Sequence, residues 1–374
     1  MPVSWVSDSV SGRAGSGKPA RRIAPPHTFT TNHAAVLHEL NTGNVIDFLE
    51  STGRISSGEP ACAEELAGGV SNVVLRVTPQ ASPPLVIKQS REQLRTRLEW
   101  RSRLDRIWRE VAVMRILGSI LEPGLVPKIL FEDRQNYLFG MEAIDEHHIV
   151  WKTALLADQI DPQIASRLGD VLATLHARTW DNPEIRRQMS DVTVFDELRI
   201  DPYYRKIAHV HPRIRDRIEW LLHEMQNQRH CLVLGDFSPK NILMTGDRIT
   251  LVDFETGHFG DPGFDLGFFL THLTLKAIRR LENGRAFLDL ARRFWNEYQV
   301  RLRRDVPHAH QLDTRSVVHW AACVLARIDG KSPVEYLDEP RRETARRLAI
   351  DVLCQPPPSL ADCFDLTAER LSRA

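Results

Sequence analysis

The strongest constraint in this chain is Gly235-Asp236-Phe237-Ser238-Pro239-Lys240-Asn241, followed a short interval later by Val252-Asp253-Phe254-Glu255. Between them, Ile242-Leu243-Met244, Thr245-Gly246-Asp247 and Ile249-Thr250-Leu251-Val252 read as strand, turn and strand, because apolar β-formers flank a polar triplet centred on glycine. Such a hairpin folds Asp253 back beside Asn241. Side-chain oxygens distant in sequence thereby converge, and the Asp236 carboxylate stands close by. An isolated Gly-Asp or Asp-Phe-Glu carries no such weight, since carboxylates in turns are usually solvated caps. It is their order along one segment that is specific.

Phosphoryl transfer leaves a protein little covalent chemistry. It needs a carboxylate at the incoming hydroxyl and oxygen ligands that hold magnesium against the phosphates. Asp236 is the expected carboxylate, and Asn241 and Asp253 are the expected Mg2+ ligands. At this point the chain resembles the superfamily of aminoglycoside phosphotransferases, choline kinases and methylthioribose kinases, relatives of the protein kinases. Its members carry His-Gly-Asp-x-x-x-x-Asn and then an Asp-bearing metal segment. Leu234 stands at the His position, where an apolar side chain replaces a packing and loop-orienting one. Gly260-Asp261-Pro262-Gly263-Phe264-Asp265-Leu266-Gly267 also looks like the family, and the resemblance gives Asp265 the structural part of anchoring the catalytic loop. Methylthioribose kinases carry an acidic residue two positions after the metal Asp, which makes Glu255 a further expected ligand. The resemblance implies an α+β, two-lobed protein-kinase-like fold, with a small antiparallel β-sheet N-lobe and a mainly helical C-lobe. The implied activity moves the γ-phosphate of ATP to a hydroxyl of a small molecule.

Upstream, residues 64–66, Ala67-Gly68-Gly69-Val70-Ser71-Asn72 and residues 73–77 read as strand, glycine turn and strand. Glycines let backbone N–H groups approach phosphate oxygens, so Gly68, Gly69, Ser71 and Asn72 are nucleotide-binding candidates, although a plain hairpin turn reads the same way. The next strand, Leu85-Val86-Ile87-Lys88, resembles the kinase strand whose Lys contacts the α- and β-phosphates. A strand lysine without a partner is costly, and a Glu on the following helix, over residues 95–117, is expected to pair with Lys88. Ile107, Glu110, Met114 and Leu117 share one helical stripe, which favours Glu110. Glu99 is the alternative, with a solvated face as its plain reading. Residues 128–132 and 137–141 complete about five antiparallel strands. Met141, Glu142 and Ala143 then form the hinge, where the resemblance places adenine against backbone groups.

The chain of 374 residues exceeds one ordinary core and fits two lobes. Lys plus Arg number 49 against 49 for Asp plus Glu, so no global field recruits nucleic acid or an anionic membrane. Five scattered cysteines and the absence of an apolar run of membrane-spanning length point to a cytoplasmic protein. The resemblance implies a small-molecule hydroxyl acceptor as partner, and monomer and homodimer both stay open. Residues 1–30 read as a disordered leader rich in Ser, Gly, Arg and Pro. Its Gly12-Arg13-Ala14-Gly15-Ser16-Gly17-Lys18-Pro19 imitates a phosphate-binding loop, but Pro19 occupies the Ser/Thr position and no strand precedes it. Residues 31–143 are the expected nucleotide-binding lobe, after a short helix over 34–49. Residues 144–355 are the helical catalytic and substrate lobe. Pro356-Pro357-Pro358 is expected to end the compact part, leaving 356–374 as a tail.

Several roles stay open on sequence alone. Lys240 either neutralises a phosphate or sits on the surface, and Ser238 either bonds substrate or shapes the turn. His176 reads as a satisfied core histidine. Acceptor-site candidates are His147, His148, Trp151, Tyr203, Tyr204 and Arg205, most of them equally readable as lobe surface. Residues 324–331 look like the segment where methylthioribose kinases present paired arginines. Ala326 replaces the first, while Arg327 and Lys331 remain, so Arg327 is a catalytic candidate unless it belongs to a helix end with solvated charges. Loss of one Arg argues against methylthioribose as substrate. A nucleotide-binding pseudokinase or scaffold, motivated by Leu234, is opposed by the joint presence of Asp236, Asn241, Asp253 and Lys88. A protein kinase is opposed by the missing Asp-Phe-Gly and by the short interval from Asp253 to Asp265.

Overall fold

Alternation decides the first part of the architecture. The computed structural model describes residues 39–66, 72–91, 103–280, 282–307, 309 and 312–373, so the expected leader lies outside the described residues. Strands β1 (Ala61–Glu65), β2 (Asn72–Pro79), β3 (Leu85–Ser90), β4 (Ile129–Asp133) and β5 (Leu138–Glu142) form one antiparallel sheet in the order β1-β2-β3-β5-β4. Val73, Leu75 and Val77 of β2, with Leu85 and Ile87 of β3, pack with Val45 and Leu49 of helix α1 (Val45–Ser51). Each fully buried aliphatic side chain of this kind stabilises by about 1.5–3 kcal/mol. The two-residue period sends Val74, Arg76, Val86 and Lys88 to the opposite face, where they wall a cavity. Helix α2 (Arg106–Ile120) links β3 to β4 and buries the expected stripe of Ile107, Glu110, Met114 and Leu117.

Five short strands follow: β6 (Ile149–Val150), β7 (Cys231–Val233), β8 (Ile242–Thr245), β9 (Arg248–Leu251) and β10 (His258–Gly260). Strands β8 and β9 are the hairpin expected between Asn241 and Asp253; β6 joins β8, and β7 pairs with β10. The remainder is helical: α3 (Trp151–Leu156), α4 (Pro162–Thr179), α5 (Pro183–Gln188), α6 (Thr193–Phe195), α7 (Lys206–Val210), α8 (Arg215–Asn227), α9 (Gly263–Arg279), α10 (Gly284–Asp305), α11 (Leu312–Asp329), α12 (Glu339–Cys354) and α13 (Leu360–Leu371). A ten-residue π-helical stretch, Asp196–Arg205, runs between α6 and α7. Helix α9 lies backbone to backbone with α11, because a Cβ on Gly267 would meet the Trp320 amide nitrogen at 2.5 Å.

One expectation is corrected. The chain does not leave the compact part at Pro356-Pro357-Pro358: α13 is started by a capping box on Ser359 and Asp362, and Leu360, Cys363 and Phe364 join the large helical core. The prolines only turn the chain between two packed helices. All five cysteines are free. No helix among the described residues is long and apolar enough to cross a membrane.

Candidate active site

A cavity of about 560 Å³ lies between the sheet and the helical part, a size that suits a small-molecule site. The β3 pleat delivers Lys88 to it. Its ammonium lies 2.8 Å from Glu110 Oε1 and 2.9 Å from Asp253 Oδ1. Glu99 lies outside the described residues; Glu110 makes the predicted pair. Burial alone would discharge Lys88, but Asp253, Glu110 and Glu255 outweigh it and hold the ammonium above the ordinary lysine range. Burial likewise works against an ionised Asp253, and Lys88 and Lys240 overcome it, holding that carboxyl below the usual range. Glu110 Oε1 also accepts from Phe254 N at 3.3 Å, so the α2 carboxylate fixes both the lysine and the backbone after Asp253.

The loop before β8 supplies the second half of the site. Gly235 sits at φ +71°, where an added Cβ would meet Thr256 Oγ1 at 2.9 Å, so only glycine fits. Asp265, fully buried, accepts from Leu234 N at 2.7 Å and Gly235 N at 2.8 Å. Thr256 Oγ1 donates to Leu234 O at 2.8 Å. Leu234 itself is buried, so main-chain bonds orient the loop while the leucine packs. His176 is a core residue, 2.8 Å from Tyr298 Oη and 3.3 Å from Asp265. Asp265→Ala would orphan two buried N–H groups, and we expect it to lower stability by about 3–5 kcal/mol. An unshifted urea midpoint would show that Asp265 anchors nothing.

Asp236 is buried, and its two oxygens differ. Oδ2 is 2.9 Å from Arg199 Nη2 and 2.8 Å from Lys240 Nζ, whereas Oδ1 has no partner among the described residues. Asn241 Nδ2 donates to Asp236 O at 3.0 Å, leaving its amide oxygen for a cation. Val252 N donates to Asn241 O at 3.0 Å, which closes the predicted fold-back and brings Asp253 to Asn241. Asp253 has φ +69°, a strained setting for a non-glycine residue. Asn241 and Asp253 both line the cavity, and two hard oxygen donors that leave room for phosphate oxygens fit Mg2+. Among the described residues no group of three or more His, Cys, Asp or Glu is arranged to hold a metal by itself.

Other predicted residues fall differently. Gly68, Gly69 and Ser71 lie outside the described residues. Asn72 lines the cavity, but its amide bonds Glu255 Oε2 and Arg106 at 3.3 Å each. Glu255, expected as a metal ligand, lines the cavity with Asn241 and Asp253, and its Oε2 also faces the buried Arg106 at 3.3 Å as a counter-charge. Met141 and Glu142 line the cavity, whereas Ala143 does not: its N–H bonds Pro84 O, and Ile144 takes its place in the wall. Arg327 is likewise absent from the lining, because its guanidinium turns to Tyr203 Oη at 3.2 Å and to Ser332. Of the acceptor candidates, His148 lines the cavity. Trp151 stacks on Phe269, Tyr204 bonds His319, and Arg205 pairs with Asp196. Sequence reasoning missed Arg199 and Arg106. Arg106 lies four residues before Glu110 on the same helix face, a usable signal. Arg199 had none.

The fold and the contacts of this cavity define a kinase-like phosphotransferase. The chain belongs to the phosphotransferase enzyme family, whose model matches residues 63–299. It is similar to the methylthioribose kinase of Geobacillus sp. (strain WCH70), at 24% identity over 370 residues, covering 85% of this chain and 91% of that one. Among solved structures, choline kinase from Cryptosporidium parvum Iowa II has a TM-score of 0.51 at 12% identity, over 87% of this chain and 100% of its own. Amicoumacin kinase hAmiN, in complex with AMP-PNP, Ca2+ and Ami, has a TM-score of 0.50 at 14% identity, over 81% and 91%. These structural likenesses show the two-lobed fold. The family match and the methylthioribose kinase relative make the chain a small-molecule kinase.

Proposed function

We propose that the chain moves the γ-phosphate of ATP, with Mg2+, to a hydroxyl of a small metabolite held by the helical lobe. The reading rests above all on the buried, unpartnered Oδ1 of Asp236 in the wall of the cavity that also contains Lys88, Asn241 and Asp253. In this reading the acceptor oxygen attacks the γ-phosphorus while its proton passes to Oδ1. The new O–P bond forms as the bond to the β-phosphate oxygen breaks, and ADP leaves with that electron pair. Arg199 and Lys240, both on Oδ2, orient the carboxylate. Lys88, fixed by Glu110, grips the α- and β-phosphate oxygens, and the wall at Met141, Glu142 and Ile144 receives the base. Asn241 and Asp253 would hold Mg2+, which when bound offsets phosphate charge.

ADP release measured against a panel of hydroxyl compounds tests this. Turnover should require both acceptor and Mg2+ and stop with EDTA; ATP hydrolysis indifferent to every acceptor would defeat the reading. Lys88→Ala should raise the KM for ATP, and Glu110→Ala should do so less, because the glutamate acts through the lysine. A double-mutant cycle should return a coupling of about 0.5–3 kcal/mol. Strict additivity would remove Glu110 from the site.

A further inference from the structure

Helix α9 buries a lysine that no carboxylate among the described residues neutralises. Lys276 is 1% exposed. Its Nζ donates to His272 O one turn earlier at 3.3 Å and stands 5.6 Å from the Tyr336 ring centroid. Among the described residues no carboxylate pairs with it, although a buried ammonium without a counter-charge is costly. Its charged neighbours have its own sign: burial first, then Lys152, Arg327 and Arg279, push it down to about 7. Burial and the charges of Lys276, Arg327, Lys240 and Lys152 drive His272 well below the usual histidine range. His272 Nε2, Arg327 Nε and Tyr336 Oη are buried in this cluster and lack partners among the described residues.

Two aromatic rings connect the cluster to the reacting centre. Phe268 meets His272 edge-on at 5.2 Å and lies 5.4 Å from the Arg199 guanidinium, which pairs with Asp236. Tyr203 bridges Arg199, 5.9 Å from its ring, to Arg327. A cationic acceptor would add positive charge beside Lys276 and Arg327, and Asp236, the carboxylate of the reacting centre, already faces Arg199 and Lys240. An oxyanion would satisfy the orphan donors and the unpaired lysine together.

Building on the phosphoryl-transfer reading, we propose that the acceptor carries an oxyanion, a carboxylate or a phosphate, seated on Lys276 and Arg327 while its hydroxyl reaches Asp236 Oδ1. Arg327 is then an acceptor-binding residue, not one that meets the transferred phosphoryl group.

The test compares matched acceptors: hydroxy acids and phosphorylated alcohols, the same alcohols without the anion, and cationic acceptors such as choline and aminoglycosides. An anionic acceptor should exceed its neutral counterpart in kcat/KM by at least about tenfold, with the carboxylate and phosphate arms naming the group. Lys276→Met, and independently Arg327→Gln should the first not fold, should raise the acceptor KM about tenfold or more and leave the KM for ATP within about twofold. Calorimetric titration with inorganic sulfate, with magnesium and AMP-PNP saturating, reads the anion site without an acceptor: the wild type should bind it and the variants should not. Preference for neutral or cationic acceptors, or equal sulfate affinity in wild type and variants, would overturn the proposal while leaving phosphoryl transfer intact. Failure to bind magnesium and AMP-PNP would instead remove the phosphoryl-transfer reading, and sulfate titration of the nucleotide-free protein would still decide the anion site.

Discussion

Asp236→Asn is expected to bind magnesium and AMP-PNP as the wild type does, and to lose phosphoryl transfer by about 10²–10⁴ in kcat. That loss corresponds to about 3–5 kcal/mol of transition-state stabilisation. The amide keeps the size of the carboxylate and can still accept a hydrogen bond, but it no longer takes the acceptor proton. It also leaves Arg199 and Lys240 without their shared counter-charge, so part of the loss will come from misorientation of the loop. Single-turnover kinetics beside an AMP-PNP titration separates the two. A variant with near-normal kcat would mean that the base lies elsewhere.

Asp253→Ala should weaken nucleotide binding about a hundredfold and make the remainder indifferent to magnesium, since it removes one of two protein oxygens for the cation. Alanine also meets a strain penalty at φ +69°, of about 1 kcal/mol, and frees one carboxylate contact of Lys88. Asp253→Asn is the control, because asparagine accepts the left-handed backbone and keeps an oxygen while deleting the charge. Metal dependence should weaken in Asn and vanish in Ala. Titrations with and without magnesium that superimpose on the wild type for both variants would sink the assignment.

What was legible in the sequence was local chemistry on regular elements. The likeness of Leu85-Val86-Ile87-Lys88 to the kinase lysine strand marked Lys88 as a paired lysine, the helical stripe put Glu110 inside, and the 242–252 hairpin returned Asp253 to Asn241, as the contacts bear out. Illegible were contacts between segments far apart in the chain. Nothing near Arg199 marks it as the partner of Asp236, because the π-helical stretch that carries it has no motif and its aim depends on how that segment packs. The Arg106 partner of Glu255 was hidden for the same reason: the sequence shows an acidic residue two positions from a metal Asp, and only the packing of α2 brings Arg106 to its Oε2. The sequence leaves Arg327 open between a site role and a helix end, since a helix-end arginine can turn either way; the contacts with Tyr203 and Ser332 lie in segments the sequence does not connect to it. The triple proline was read as an exit because proline stops helices. Whether the next segment packs is decided by its apolar face, and Leu360, Cys363 and Phe364 supply one.

The inequality of the two Asp236 oxygens bears on product chemistry. With Oδ2 engaged by two cations, one oxygen is left to receive a proton, and it points in one direction. On the reading given to this site, an acceptor with several hydroxyl groups can present only one of them in line with both that oxygen and the phosphorus. The enzyme would then make a single regioisomer from a polyol, and its selectivity would belong to the orientation of one lone pair as much as to the shape of the pocket.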